Sequence, residues 1–430
     1  MKLITVLLAL MTSTLIYAAD PKVDFAEKFL QDELNKRQLE LLKEKQIQVE
    51  VSTQEEPIPV EIPCFDINTI QLKGNTLLSR DDIEHIVLPY KGRCVGKNGV
   101  NQLMAKLTTA YIDNGYITSR VYIPPQDLNT GVLEFIVIEG TLENFSINNN
   151  AAEDRRKIWW AMPPQRGNYL SITEIEQGID QINRVPSANA KMKLWPGQET
   201  GSTHIQVLNK SDDEFRGNLE WNNEGQASTG KQKIRFGIDA DNILGINDIW
   251  GFNFIGSKDT NAVTLNNSFP FRNWTFSLSH SYSEYLNILP GNTDLFGQSN
   301  TSTLGTDYLV YRSGKKKVNW STNLTVRRSE RRLLGVELAP QKLVPIRTAI
   351  NLSENLPWGF YSLEAGLVHG TKLFGANQDA SNIQKEEPKA QFNKLDGRFT
   401  LVVPTEWLSY QSTLAFQITD DLLYSSEQIH

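Results

Sequence analysis

From about residue 214 onward the chain loses helical periodicity and becomes a series of short segments in which apolar and polar residues alternate. The last of these, "LSYQSTLAFQIT", is the clearest. Leu408, Tyr410, Leu414, Phe416 and Ile418 fall on one face, and Ser409, Gln411, Thr413, Gln417 and Thr419 on the other. A period of two means strands. One apolar and one polar face over about ten residues is what a strand needs to cross a bilayer with lipid outside and water inside. Eleven such segments begin near Glu214, Lys231, Asn247, Asn261, Asn273, Thr303, Val318, Leu343, Gly359, Leu395 and Leu408.

A soluble β-sandwich alternates in the same way, so the connections decide. Those after the second, fourth, sixth, eighth and tenth strands are short: "DNILGI", "PFR", "SGKK", "NLPW" and "PTEW". Those after the fifth, seventh and ninth are expected to be long and polar, the last over about residues 371–394. Short turns on one side and long loops on the other belong to a transmembrane β-barrel. An odd strand number leaves bare sheet edges in hydrocarbon. Either the count is off or the barrel continues beyond residue 430.

Upstream, residues 62–140 read strand, helix, helix, strand, strand. "FDINTIQL" alternates. Ser79 opens a helix with Asp82 three positions on, a capping-box pattern. A second helix puts Val100, Leu103, Met104, Leu107 and Tyr111 on one face, and Gly115 ends it. The hairpin "NGYITSRVYIPPQDLNTGVLEFIVIEG" closes the unit. Residues 141–210 repeat the order with "LENFSI", "EDRRKIWWAM", "SITEIEQGIDQIN", "AKMKLWPG" and "STHIQVLN". In the second helix Ser171 and Glu174 form the expected cap, and Ile172, Ile175, Ile179 and Ile182 the buried face.

The first nineteen residues carry a short basic start, an apolar run and small residues at Ala18 and Ala19, the pattern of a secretory signal. Residues 20–48 are rich in Glu, Lys, Leu and Gln and predict a charged, weakly amphipathic helix. At 1.5 Å per residue it would be about 40 Å long, enough to run the height of a membrane barrel. Residues 49–61 form a polar, Pro-containing linker. The only cysteines are Cys64 and Cys94. In an exported chain they are expected to pair, with two free thiols as the alternative.

Net charge is −7, which gives no electrostatic case for nucleic acid. The five histidines are scattered, and no HExxH, Walker loop, GxSxG or CxxC is present. No catalytic residue, cofactor, metal or small-molecule substrate is expected.

"PCFDINTIQLKGN" and "AYIDNGYITSRVYIPPQDLNTGVLEFIVIEGTLE" resemble the first POTRA domain of two-partner secretion transporters of the ShlB/FhaC/HecB type. "SITEIEQGIDQINRVPSANAKMKLWPGQETGST" resembles their second POTRA domain, and "DNILGINDIW" and "DLLYSSEQIH" their barrel signatures. The resemblance spans nearly the whole chain after the signal. It implies a membrane β-barrel, sixteen-stranded in the family, of which residues 211–430 hold about eleven strands. It also implies two periplasmic α+β POTRA domains (βααββ, residues 62–140 and 141–210) and an N-terminal helix, residues 20–48, that can plug the pore.

The implied activity is type V secretion: export across the outer membrane, without nucleotide hydrolysis, of one large β-helical partner. That partner would be a haemolysin, an adhesin or a contact-dependent inhibition toxin, engaged through its N-terminal secretion domain. In the family "YSSEQ" leads into a long pore loop with a Val-Arg-Gly-aromatic motif, and about five further strands follow; both are expected beyond residue 430. The alternative is a β-barrel assembly factor of the same superfamily. A passive porin leaves residues 62–209 unexplained.

Recognition is the remaining chemistry. An extended substrate can add as a strand to a POTRA sheet edge. The candidates are the strand Ile117, Thr118, Ser119, Arg120, Val121, Tyr122 and Ile123, with Tyr111 and Tyr116 in the groove beside it; Tyr111 taken alone reads more readily as core. Two basic clusters stand out. Residues 315–317 ("KKK") are expected at a periplasmic turn. Arg327, Arg328, Arg331 and Arg332 are expected mostly in an outer loop, as solvated charge, lipopolysaccharide contacts or lumen-facing guides.

Overall fold

The computed structural model describes residues 58–148, 152–223, 225, 230–289, 293–405 and 408–428. The expected signal peptide, the helix over 20–48 and most of the linker over 49–61 lie outside the described residues.

The first unit contains β1 (Cys64–Ile67), β2 (Thr69–Lys73), α1 (Arg80–Val87), β3 (Arg93–Gly96), α2 (Lys97–Asp113), β4 (Arg120–Tyr122) and β5 (Val132–Ile138). Its sheet has the order β2-β5-β4, with β2 parallel and β4 antiparallel to β5. The apolar stripe of α2 supplies Leu103, Leu107 and Tyr111, which pack without exposure against Leu133 and Phe135 of β5. α1 starts as its capping pattern predicts, the Ser79 hydroxyl accepting from the Asp82 N–H at 3.1 Å.

One expected strand is two. "FDINTIQL" breaks at Asn68, where the N–H groups of Asn68 and Thr69 both donate to the Gly131 carbonyl, at 2.8 and 3.1 Å. β1 turns away from the sheet and pairs with β3, a strand of only four residues that carries too little alternation to be legible. This ribbon brings Cys64 and Cys94 to a Cα separation of 5.3 Å, and they form a disulfide.

The second unit repeats the topology with β6 (Thr141–Ile147), α3 (Ala152–Ala161), α4 (Ile172–Asn183), β7 (Ala188–Pro196) and β8 (Ser202–Ser211). The sheet order is β6-β8-β7, again parallel then antiparallel. Ile175 and Ile182 of α4 enter its core with Leu142, Ile147, Ile205 and Val207. Ser171 does not cap α4 through its side chain; its hydroxyl pairs with that of Thr173 at 2.8 Å instead. α4 also buries Gln177 and Gln181, on a second face that the isoleucine stripe gives no hint of.

Among the described residues, the rest is one antiparallel sheet of thirteen strands. Its strands are β9 (Phe215–Asn222), β10 (Lys233–Asp241), β11 (Ile249–Ser257), β12 (Thr260–Phe271), β13 (Trp274–Leu289), β14 (Thr293–Arg312), β15 (Lys316–Leu333), β16 (Val336–Glu337), β17 (Gln341–Leu343), β18 (Pro345–Leu356), β19 (Gly359–Gly370), β20 (Asn393–Pro404) and β21 (Ser409–Ile418). β16 and β17 are short spurs folded onto β15. The others form a single path from β9 to β21, the number of long strands read from the alternation.

Directly opposed residues share a face. Leu278 opposes Leu304, Leu304 opposes Leu324, and Leu324 opposes Ile346, which makes one face an apolar belt. Ser277 opposes Gly305 and Gly305 opposes Asn323 on the other, polar face. Belt residues such as Leu265, Leu278, Leu304 and Ile350 are half exposed, as the lipid-facing side chains expected from the alternation should be.

One expectation about the connections changes. The sixth long strand begins at Thr293 rather than near Thr303, and β13 and β14 are 16 and 20 residues long. The connection between them is therefore short, residues 290–292, where a long loop was expected. Strands that outrun the bilayer have water on both sides, so their upper ends carry loop-like composition while remaining paired. The connection after the ninth long strand is long as expected, residues 371–392.

The disulfide closes a loop of about thirty residues, for which chain entropy gives roughly 3–4 kcal/mol. Replacing Cys64 and Cys94 by Ser is expected to lower the stability of residues 65–140 by about that amount. Hydrogen exchange in α2 and β5, measured with and without the disulfide, checks it; equal protection would contradict it.

Candidate functional site

The conserved topology of the two soluble units leaves each sheet with open edges. In the first unit β4 is one such edge, since β5 covers only its inner side. Only Arg120, Val121 and Tyr122 are strand, fewer than the seven residues expected. Arg120 is exposed and Tyr122 half exposed on one side of the strand, whereas Val121 points into the core. Ile123 and Tyr116 are half-buried against the same core.

The residues just before β4 join the two units. Ile117 packs into the core of the second unit. Ser119 is fully buried, and its hydroxyl accepts the Gly140 N–H at 3.0 Å. A Cβ on Gly140 would lie 2.0 Å from the Thr118 hydroxyl, so only glycine permits this approach. The Glu139 carboxylate accepts from the N–H groups of Thr76 (2.7 Å) and Leu77 (2.9 Å). The Thr76 hydroxyl bonds the Tyr169 hydroxyl of the second unit at 3.0 Å.

Tyr111 has no exposure. Its hydroxyl bonds Asn75 and Glu139, and burial, then the Glu139 carboxylate, push its phenol well above the ordinary value. Tyr111, Ser119 and Val121 thus support the edge from behind and offer no side chain to a ligand. Tyr111 is core, as it reads when taken alone, and Tyr116 is left half-buried beside β4.

α4 seats the second unit on the short turns of the large sheet. Arg184, just after α4, donates to the Ser268 hydroxyl, the Ser268 carbonyl and the Asn247 carbonyl, each at 2.9 Å. Burial lowers its pKa to about 10. The Gln181 amide donates to the carbonyls of Arg272 (2.9 Å) and Trp274 (3.2 Å). Asp180 holds Arg312 at 2.6 Å and Lys317 at 2.5 Å, and Glu176 adds Arg312 at 3.2 Å. The lysine run lies at the turn as expected, and Lys317 is a docking residue.

The turn "DNILGIND" is itself preorganised. Asp248 accepts from the Leu244 N–H at 3.1 Å and the Trp250 indole at 2.6 Å, and Asn242 and Asn247 adopt positive φ. Asp241, fully buried, accepts from Ser187 N–H (2.9 Å) and pairs with Arg216 (2.6 Å). Sequence reasoning saw this turn as a signature without a role. The signal was present: two aspartates and two asparagines in eight residues leave a turn with more acceptors than it needs for itself.

The polar face of the sheet carries a second charged group. Arg347 of β18 donates to Asp396 of β20 at 2.8 and 3.0 Å and pairs with Glu364 of β19 at 2.5 Å. Gly366 lies between them, and a Cβ there would come within 2.8 Å of both Arg347 and Asp396.

The arginine cluster lies in the upper part of β15, not in a loop, because that strand runs 18 residues. Alternation splits it. Arg327 and Arg331 take the polar face. Arg327 bonds the Ser426 carbonyl (2.8 Å) and the Glu427 carboxylate (2.9 Å), and Lys394 donates to the Glu427 carbonyl at 2.7 Å. Arg328 and Arg332 take the other face, where Arg328 pairs with Glu330 at 2.6 Å and Arg332 lies 4.6 Å over the Phe296 ring.

Three comparisons with known proteins bear on these features. The family profile described as "Haemolysin secretion/activation protein ShlB/FhaC/HecB" matches residues 201–430. A ShlB-type POTRA domain matches residues 65–140, and a further POTRA domain residues 141–196. The outer membrane transporter CdiB of Dickeya dadantii (strain 3937) is 31% identical over 381 residues, covering 85% of this chain and 67% of that protein. The hemolysin transporter protein ShlB of Serratia marcescens is 29% identical over 375 residues, 84% of this chain and 65% of the relative. The solved structure of CdiB from Escherichia coli superposes with a TM-score of 0.85 at 26% identity, over 97% of this chain and 79% of that one.

Arg184→Met removes three hydrogen bonds and leaves the Asn247 and Ser268 carbonyls without that donor. The expected cost is about 2–4 kcal/mol at the contact between unit and sheet. Hydrogen exchange should quicken in residues 242–248 and 272–273 and stay unchanged in α2. Unchanged exchange in both turns would show that Arg184 does not hold the contact.

Proposed function

The chain belongs to the haemolysin secretion/activation family of ShlB/FhaC/HecB type, and on that premise we propose that it is an outer-membrane transporter that exports one large partner protein. The observation that carries this reading is the continuity of the molecule. A sheet with a lipid-compatible face and a hydrated face is fixed through α4 to two tandem soluble domains that present open strand edges. Relatives named as transporters of haemolysin and as CdiB support export over the alternative of inserting other barrels.

In this reading residues 62–140 and 141–210 are the periplasmic POTRA domains and residues 211–430 belong to the barrel. An unfolded partner reaches the periplasmic face and adds as a strand beside β4, main-chain hydrogen bonds giving affinity without demanding a sequence. Arg120 and Tyr122 are the side chains offered there. Passage then follows the polar face of the sheet. No catalytic group, cofactor or nucleotide takes part; net movement comes from trapping or folding of the partner outside. Arg328 and Arg332, high on the lipid-side face, are suited to lipopolysaccharide.

A photo-cross-linking residue at Tyr122, in cells that express the chain with its partner, is expected to capture the partner's N-terminal secretion domain. The same residue at Gln71, on the opposite edge, is expected to capture nothing. Capture from Gln71 alone, or from neither, would overturn the assignment of β4.

The helix over residues 20–48 is proposed to occupy the pore, since its charge suits water better than lipid. Deleting residues 21–48 should raise single-channel conductance in planar bilayers while secretion into the medium continues. Unchanged conductance would show that the helix does not block the pore.

A further inference from the structure

α3 occupies a place that its role in the second core does not account for. Ile158 and Ala161 face inward, but Trp159 is 55% exposed. Arg155 and Arg156 are also exposed, and they precede Trp159 by four and three residues, so all three share one helical face. That face meets the apolar belt of the sheet at its turn end. Trp159 lies 5.6 Å from the Phe271 ring, and the Arg272 guanidinium sits 6.0 Å over Trp159. Phe271 opposes Trp274, which stacks on Phe276 at 6.0 Å and meets Tyr308 at 4.6 Å.

A row of aromatic rings at one end of a membrane sheet marks the level of the lipid headgroups. Trp159 extends this row from the sheet onto the second soluble domain. The adjacent turn adds Ile243 and Leu244, 54% and 49% exposed, and Arg156 donates to the Leu244 carbonyl at 2.8 Å. The patch therefore combines an exposed indole, two exposed aliphatic side chains and guanidinium groups, continuous with a lipid-facing belt. Soluble chains do not leave such a patch bare without use. Cations beside Trp and Leu on one helical face are the composition of an interfacial lipid anchor.

We propose that α3 is a membrane-interface anchor that seats the second POTRA domain on anionic phospholipid headgroups. Trp159, Ile243 and Leu244 enter the headgroup–acyl boundary, and Arg155 and Arg156 bind the phosphates. The inference rests on the membrane-barrel reading, and its test separates the two.

The protein is reconstituted into vesicles whose acyl chains carry bromine near the headgroup, made either of phosphatidylcholine or of phosphatidylcholine with phosphatidylglycerol. Bromine quenches tryptophan emission at short range. Of the nine tryptophans, the contribution of Trp159 is obtained by subtracting the emission of W159F. Total emission is expected to be quenched in both vesicles. The Trp159 contribution should be quenched at least twofold more in the anionic vesicles, and R155Q/R156Q should reduce it to the level in phosphatidylcholine. Quenched total emission with an unquenched Trp159 would overturn the anchor alone. So would Trp159 quenching that ignores lipid charge or the two arginines. Total emission that is not quenched would overturn the barrel reading and the anchor with it.

Discussion

A peptide group in hydrocarbon has no water to bond, so its N–H and C=O must find another strand. That requirement organises the larger part of this molecule. It makes the sheet continuous through its long strands, from β9 to β21, and the short turns between neighbours make it antiparallel. It forces side chains to alternate strictly between two environments, since no residue along a paired strand can turn aside. It also confines irregular structure to the two ends: the short turns held by α4 and the segments at the other end, such as residues 371–392. The soluble domains are free of this constraint and use ordinary cores, so they could diverge from each other while keeping one topology.

The short turns are where the two regimes meet, and they are secured by buried polar contacts. Arg184, Gln181 and Asp180 on one side, with Asp241, Asn247 and Arg312 on the other, form hydrogen bonds whose partners have no substitute once water is excluded. Polar contacts also cross the junction between the soluble domains, where the Thr76 and Tyr169 hydroxyls bond at 3.0 Å and the Ile172 N–H donates to the Gly115 carbonyl at 2.8 Å. Directional contacts thus accompany apolar packing, such as Trp159 on Phe271 and Ile117 on the second core, where the three parts meet.

The alternation in "LSYQSTLAFQIT" was legible because a membrane strand has to display it, and β21 places those residues in the expected order across from β20. The helices α2 and α4 were legible from their apolar stripes, and α1 from its capping pattern. β3 was not, because four residues show no period and its pairing with β1 is a tertiary event. The upper ends of β13 and β14 looked like loop because water on both faces removes the contrast that alternation depends on. Gln177 and Gln181 were hidden for the opposite reason: a polar face buried by docking has the composition of an exposed one. At the candidate site the sequence put seven residues on one edge strand, of which Arg120, Val121 and Tyr122 alone are strand. It could not distinguish Ile117 on an edge strand from Ile117 inserted in the neighbouring core.

The insertion of Ile117 and the burial of Ser119 have a mechanical consequence. The strand edge that would receive a partner begins three residues after Ile117, which packs against the core of the second domain. The second domain is in turn bolted through Arg184 and Asp180 to the rim of the sheet. In the proposed reading a pull on β4 would act on the second domain through these contacts. From there it would reach the turn "DNILGIND" and residues 272–273, so tension in a passenger chain would be felt at the mouth through which it must pass.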